Sequence, residues 1–263
     1  VASSPTSQAL VARRLPDSQI GDLAAVAAVA ELLVIAVPDS ALTSVIDELA
    51  AVVRPGTIVA HTAGAHGVGI LEPLTARSAT PLAIHPAMTF TGSDEDLTRL
   101  RTACFGITAL DDIGYAIAQA LVLEIGGEPV RVREEARTLY HAALAHGANH
   151  LVALVSDAVA ALRIVLAGQE LPGQEPITDA PDGLPERILQ PLLTAALDNT
   201  LRSGPAALTG PVARGDAAAV AAHLEALDEA DPQLAVAYRA MSRRAAAYTD
   251  APAPLLDVLA GPQ

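Results

Sequence analysis

The segment LLVIAVPD, Leu32 to Asp39, constrains the fold more than any other stretch of the chain. It is a short β-branched run closed by proline and aspartate and followed at once by a helical pattern. Such a run fits a strand buried on both faces of a parallel sheet, with Asp39 able to cap the next helix. From Leu42 the apolar residues Val45, Ile46, Leu49, Val52 and Val53 recur at helical spacing, so a strand leads into an amphipathic helix. The unit repeats. Arg54-Pro55-Gly56 is a turn, Thr57 to His61 a second strand, Pro81 to Met88 a third and Phe105 to Ala109 a fourth. Strands alternating with helices predict an α/β fold, a doubly wound parallel sheet of the Rossmann type. After Asp112 a helix runs to the Gly126-Gly127 stop, and a short strand around Pro129 to Val132 finishes this half.

The sequence then changes character. Glu134 to Ala167 has no proline and carries apolar residues on nearly all sides, which predicts one helix about 50 Å long. Such a helix needs cover, either from a second subunit in a homodimer or from later helices of the same chain. Gly168 to Pro185 reads as a surface connection, and helical patterns return at Glu186 to Leu201, Ala217 to Leu227 and Gln233 to Tyr248, with Asp216 and Asp231 as N-terminal caps. The expected organisation is a dinucleotide-binding domain over residues 1–132 and an all-helical domain for dimerisation and substrate over 133–263.

Composition narrows the function. Apolar residues make up 51% of the 263 and aromatics 2%, so the core is built from alanine, leucine, valine and isoleucine rather than from rings. A net charge of -14 argues against nucleic acid and acidic membranes as partners. Every basic residue is arginine, which excludes any mechanism that depends on a lysine amine. The single Cys104 forms no intramolecular disulfide and, with no export signal visible, favours a reducing cytoplasm. The nearly apolar stretch from Leu23 to Val37 is interrupted by Glu31 and is shorter than a membrane span.

A dinucleotide site needs a G-x-G-x-x-G turn between the first strand and first helix, and none is present. Gly64-Ala65-His66-Gly67-Val68-Gly69 has reversed spacing and comes after a middle strand; it reads as a flexible turn, with a phosphate role as the alternative. Val1 to Ser4 looks like the end of a strand entering the helix Gln8 to Leu15, so the first strand and glycine loop are expected to precede Val1.

The motifs AVPD at Ala36 to Asp39, AHTAGAHG at Ala60 to Gly67 and LAIHPAMTF at Leu82 to Phe90 occur in that order. With YHAALAHGANHL at Tyr140 to Leu151 and ALTGPVARGD at Ala207 to Asp216, the chain resembles Rossmann-like proteins with an uncharacterised helical C-terminal domain. These are relatives of ketopantoate reductase, pyrroline-carboxylate reductase and the 6-phosphogluconate and β-hydroxyacid dehydrogenases. Some members are similar to an alternative ketopantoate reductase of pantothenate biosynthesis, which implies an NADP-dependent oxidoreductase that reduces a small 2-oxo acid.

The resemblance implies that Ser3 and Ser4 read the adenosine ribose or its 2′-phosphate, with Arg13 or Arg14 assisting. The absence of an acid at that strand end leans toward NADP over NAD. Val37, Pro38, His61, Thr62 and Gly64 lie at strand ends where the nicotinamide half would rest. His61 and His85, each at a strand end, can donate to a carbonyl under reduction or tie down a loop. His146, Asn149 and His150 share a helix face. In the dehydrogenase relatives this helix presents K-x-x-x-N. Asn149 matches the asparagine, but Ala145 stands where the lysine would be, so His85, His141 or His146 would have to supply the proton. The His146/His150 pair lacks the third ligand and the glutamate of a metal site, and no metal is expected. Arg214 can meet a substrate carboxylate, or else serve a capping turn or dimer contact. Ala63, where relatives commonly carry serine, and the missing lysine motivate the alternative of a non-catalytic relative that binds a nucleotide or a partner.

Overall fold

The computed structural model describes Val1, residues 4–167 and residues 183–261. They fall into two compact units, Val1–Asn149 and His150–Gln263. Ser3 and most of the expected connection from Gly168 to Pro185 lie outside the described residues.

The first unit opens with α1 (Pro5–Arg14), capped by Ser4, whose hydroxyl accepts from the Ser7 amide. Then come α2 (Leu23–Val29), β1 (Leu32–Ile35), α3 (Asp39–Ala50), β2 (Ile58–His61), the short α4 (Glu72–Thr75) and β3 (Thr80–Pro86). The short α5 (Glu95–Leu100), β4 (Cys104–Ala109), α6 (Asp112–Ile125) and β5 (Glu128–Arg131) complete the sheet region. The strands lie in sequence order, β1 to β5. All neighbours are parallel except β3 and β4, which pair antiparallel with His85 opposite Gly106 and Ala83 opposite Thr108. The expected all-parallel sheet is broken there. The link between β3 and β4 carries only the six-residue α5, and it returns at the end from which it left, with the Ala87 amide bonded to the Cys104 carbonyl. A parallel neighbour needs a longer crossover.

Two apolar clusters sandwich the sheet. Leu33, Ile35 and Val59 pack with Leu42, Ile46 and Leu49 of α3 and with Leu71 and Leu74. Leu82, Ile84, Phe105 and Ile107 pack with Ala118 and Val122 of α6. β1 is not buried on both faces as its composition predicts: Leu33 and Ile35 point into the core, while Leu32 and Val34 are 37% and 58% exposed. Among the described residues it is an edge strand, so alternation rather than full burial sets its environment. Asp39 occupies the first turn of α3, and the cap position belongs to Pro38. Gly126 closes α6 at φ 91°, the left-handed stop its sequence announces. Pro129 is tolerated in β5 because that strand is the other edge.

Residues 134–136 form one 3-10 turn that leads into α7 (Arg137–Leu166). The units divide inside this helix, at Asn149, and the last strand ends at Arg131. The first turns of α7 stay with the sheet because Arg137 is hydrogen-bonded to it. The second unit continues with α8 (Leu184–Ser203), α9 (Ala217–Ala230), α10 (Pro232–Ala246) and α11 (Ala253–Ala260). Asp216 and Asp231 cap α9 and α10 through the Ala219 and Gln233 amides. The core of this unit joins Val220 and Leu224 of α9, Ala246 of α10, and Leu255 and Leu259 of α11; α11 has no counterpart in the sequence reading. Among the described residues, the stretch Glu134–Leu166 is the one helix long and apolar enough to cross a membrane, with a mean hydropathy of 1.6. Its first turn carries the buried Arg137, while its most apolar window is not buried among the described residues.

Candidate functional site

β1, β2 and β3 run parallel and bring His61 and His85 to the same end of the sheet. The two histidines meet different fates. His61 is fully buried. Its Nε2 lies 2.8 Å from the Gly67 carbonyl and its Nδ1 accepts from the Ala63 amide at 3.2 Å, so the Nε2–H tautomer donates to Gly67. Burial, its largest influence, holds its pKa below the ordinary histidine value against the opposing pull of that carbonyl. Both ring nitrogens are spent on the loop, which corrects His61 from a catalytic candidate to the residue that ties the turn after β2.

That turn is latched by an acid of the same chain. The Glu134 carboxylate accepts from the Val68 and Gly69 amides at 2.8 and 3.0 Å. A side chain at Gly67 would overlap this carboxylate. An internal anion therefore occupies the amides that a phosphate would need.

Arg137 anchors the opposite wall. It is 1% exposed. Its Nε donates to Thr108 Oγ1 at 2.7 Å, and its Nη2 donates to the Ala83 and Gly106 carbonyls at 2.9 and 3.0 Å. Thr108 in turn donates to the Val132 carbonyl. Nη1 is buried with no hydrogen-bond partner. Burial pulls the guanidinium pKa down, opposed by the nearby Tyr140 and Glu134.

One helical turn further on, Tyr140 and His141 reach His85. The Tyr140 hydroxyl lies 3.1 Å from His85 Nδ1. The rings of Tyr140 and His141 stand edge-on to the imidazole at 5.6 and 5.8 Å. The other edge of the ring faces Gly64, where an added Cβ would stand 2.8 Å from His85 Nε2 and 2.5 Å from His141 Cδ2. Only glycine permits that approach. Burial, and after it the neighbouring His141 and Arg137, lower the His85 pKa to about 4, so at neutral pH the imidazole is uncharged and donates through one nitrogen only. Burial raises the Tyr140 pKa, while Arg137 and the Gly106 backbone N–H oppose the rise.

His85 opens onto a cavity of about 360 Å³, lined also by Met88, Thr89, Arg99, His141, Ala145 and Asn149. Positions 141, 145 and 149 run along one face of α7. Asn149 is thus brought to His85. His146 is exposed on another flank and does not line the cavity, so His141 takes the place expected for it. Among the described residues no cluster of three metal-ligating side chains exists.

The remaining candidates are more scattered. Val37 is half-buried against the first cluster and Pro38 is exposed. Thr62 is half-buried, its amide bonded to the Ile35 carbonyl at 3.1 Å. Ser4 spends its hydroxyl as a helix cap. Arg14 is bonded to the Gly92 carbonyl and pairs with Asp94 at 3.5 Å. Arg214 is exposed in the second unit, on the loop closed by Gly210 and Gly215. Sequence reading passed over Arg137, Tyr140, Arg99 and Glu134. The spacing Arg137-x-x-Tyr140-His141 was the available signal, since it sets three polar groups on one face of an otherwise apolar helix.

Comparison with known proteins gives the family. A model described as a Rossmann-like domain matches residues 1–86, and one described as a domain of unknown function, DUF2520, matches residues 103–245, more than half of the chain. No curated protein matches by sequence. Among solved structures, a Bacteroides fragilis protein named "putative NADP oxidoreductase" is 20% identical, with a TM-score of 0.73 over 93% of this chain and 86% of that one. Pyrroline carboxylate reductase of Plasmodium falciparum, solved with NADP bound, is 11% identical, with a TM-score of 0.54 over 87% and 81%. A reductive aminase of Aspergillus terreus, in complex with NADPH and ethyl-5-oxohexanoate, is 18% identical, with a TM-score of 0.55 over 89% and 81%. At these identities the likeness is one of fold.

Proposed function

We propose, from the premise that the chain belongs to the DUF2520 family and carries a Rossmann-like domain, that it is an NADP-dependent oxidoreductase reducing a small carbonyl compound, a 2-oxo acid of the ketopantoate kind. The observation that carries this reading is the cavity in which His85, His141, Asn149 and Arg99 meet. It combines a neutral donor, an amide and a guanidinium, as recognition of a carbonyl beside a carboxylate requires.

The residues present fit the nicotinamide half of the cofactor. Gly64 brings bare backbone up to His85 and His141, where a Cβ would overlap both rings, at the carboxyl ends of the parallel strands where such ligands rest. Gly64, Thr62, Val37 and Pro38 would hold that half, and Ser3 and Ser4 the ribose. Reduced nicotinamide, when bound, supplies the hydride. His85, kept uncharged by burial, donates Nε2–H to the carbonyl oxygen and stabilises the charge that develops there. Asn149 orients the same oxygen. Arg99, now paired with Glu95 at 2.7 Å, exchanges that partner for the substrate carboxylate, a role closer to His85 in the sequence of this unit than Arg214 on the second.

We also assign α7 and α8 a contact with a second copy of the chain. Val152, Ile164 and Val165 on α7 and Leu192, Leu197 and Leu201 on α8 are exposed large apolar side chains, and burying them is favourable. Sedimentation at rising concentration tests the homodimer. A reducing cytoplasm suits the lone thiol of Cys104.

The enzymatic test is a titration of the protein with NADPH and with NADH, and then NADPH oxidation against ketopantoate and other 2-oxo acids. Tighter binding of NADPH and turnover lost in Asn149→Ala support the reading. Nucleotide binding without oxidation by any carbonyl compound points instead to a non-catalytic relative.

A further inference from the structure

A reductase needs a proton as well as a hydride, and this chain has no lysine to give one. His85 at neutral pH is already uncharged, so it has no spare proton of its own. Resting on the reductase reading, we propose that Tyr140 is the proton source, acting through His85 on the reduced substrate.

The direction of the hydrogen bonds carries the argument. The Tyr140 hydroxyl and His85 Nδ1 lie 3.1 Å apart, and of the two senses that bond can take, phenol O–H to imidazole nitrogen is the stronger, because an imidazole nitrogen is a far better acceptor than a phenol oxygen and a phenol the better acid. Arg137, whose Cζ stands 5.8 Å from the phenol ring centre, is a donor only and takes no proton from it. The phenol proton therefore goes to His85 Nδ1, 3.1 Å away. That bond fixes the imidazole as its Nε2–H tautomer, with the N–H on the edge that faces Gly64. Gly106 is required for the same reason as Gly64: a Cβ there would stand 2.6 Å from the phenol oxygen.

The transfer balances. When the substrate oxygen becomes negative, its new O–H bond forms as His85 Nε2–H breaks. The Nδ1–H bond forms as the Tyr140 O–H breaks. The imidazole stays neutral and changes tautomer, while the phenolate is left beside the Arg137 guanidinium until a proton from water enters at Nε2 and the Nδ1 proton returns to the phenolate. An alkoxide is a far stronger base than a phenolate, even one whose conjugate acid burial has raised above its ordinary value, so the relay runs downhill. It also gives the buried guanidinium a purpose. Among the described residues Arg137 has no ion-pair partner, and its polar bonds go to neutral acceptors; its charge becomes balanced when Tyr140 loses its proton. The charged and titratable groups around His85 are Tyr140, His141 and Arg137 of α7, Asp39 of α3 and His61 of β2, and among these Tyr140 alone is a neutral oxygen acid in contact with Nδ1.

The test begins without substrate. Ring-nitrogen NMR of the full chain carrying 15N-histidine, with His85 assigned by comparison with His85→Gln, reads the tautomer directly. At neutral pH the wild type is expected to show Nε2 protonated and Nδ1 bare, and Tyr140→Phe to show a mixture. A protonated Nδ1 in the wild type means that the phenol accepts instead of donating, and the relay is overturned. With a turned-over substrate, Tyr140→Phe is expected to lower kcat by about 10²- to 10⁴-fold, to leave the NADPH Kd unchanged, and to alter the alkaline limb of the pH profile. A Phe variant that keeps the wild-type kcat and pH profile overturns the proposal even if Nε2 carries the proton. A chain that reduces no carbonyl compound overturns the reductase reading, and the relay with it, while the tautomer result stands by itself.

Discussion

Replacing Arg137 by methionine tests how far one buried cation holds the sheet and α7 together. Methionine keeps much of the volume and flexes to fill it, so the change isolates the polar bonds. The Ala83 and Gly106 carbonyls lose their guanidinium donor while keeping their place in the β3–β4 ladder, and each lost bond to a charged donor is worth about 1.5–3 kcal/mol. Thr108 loses one partner but keeps its bond to the Val132 carbonyl. Against these losses, the variant no longer buries a cation with an unbonded Nη1, which returns part of the desolvation cost. The net expectation is a destabilisation of about 2–4 kcal/mol. Native-state hydrogen exchange at the strand amides of Ala83 and Thr108 reads it in the right unit, because these two residues face each other across the β3–β4 ladder and protection there reports the opening of β3 from β4. Exchange should quicken roughly 30- to 1,000-fold, at tenfold per 1.4 kcal/mol. Protection within about threefold of the wild type would refute the reasoning, by showing that water or backbone adjustment satisfies both carbonyls.

Three further outcomes are expected. Folded His85, with its pKa lowered to about 4, refuses a proton that the unfolded chain accepts near 6.5. Between those values the unfolded state therefore binds more protons, and stability falls as pH drops from about 6.5 to about 4. The urea midpoint should decline more steeply over that window in the wild type than in His85→Gln, and equal slopes would contradict the assigned environment. Gly64→Ala drives a methyl against His85 and His141, so it should abolish reduction while circular dichroism remains that of a folded chain; full turnover in this variant would remove the cofactor role of that position. Glu134→Ala and Gly67→Ala each break the carboxylate latch on the Val68 and Gly69 amides, at about 1 kcal/mol apiece. In a double-mutant cycle by urea unfolding the two costs should not add, and strict additivity would separate the glycine from the latch.

Much of the architecture could be read from the chain because it rests on local signals. The strand LLVI and the Gly126 stop come from β-branched composition and the left-handed preference of glycine, and the α9 and α10 starts from Asp216 and Asp231. The reversal of β4 could not be read that way. Cys104 to Ala109 has the same composition whichever way it pairs, and direction is set by a connection whose path depends on tertiary contacts. The site shows the same division. His85 and Asn149 announce themselves as polar residues at a strand end and on a helix face. Whether His61 was chemical or structural depended on where the Gly67 carbonyl fell, six residues away in sequence. Glu134 reads as one more acid beside Glu135, and only folding brings it to amides 65 residues earlier.

Arg137, Thr108 and Val132 form a relay of hydrogen bonds with a sense of travel. A guanidinium accepts nothing and a carbonyl gives nothing, so the single threonine proton has one place to go, toward the chain segment leaving the outermost strand. Serine at 108 would preserve that polarity. Valine, its isostere, would silence both contacts, and asparagine would restore them only by turning its amide so that oxygen meets arginine and nitrogen meets Val132. The corner thus discriminates among residues of nearly equal size by the order of donor and acceptor they present, a form of sequence selection that volume and hydrophobicity leave invisible.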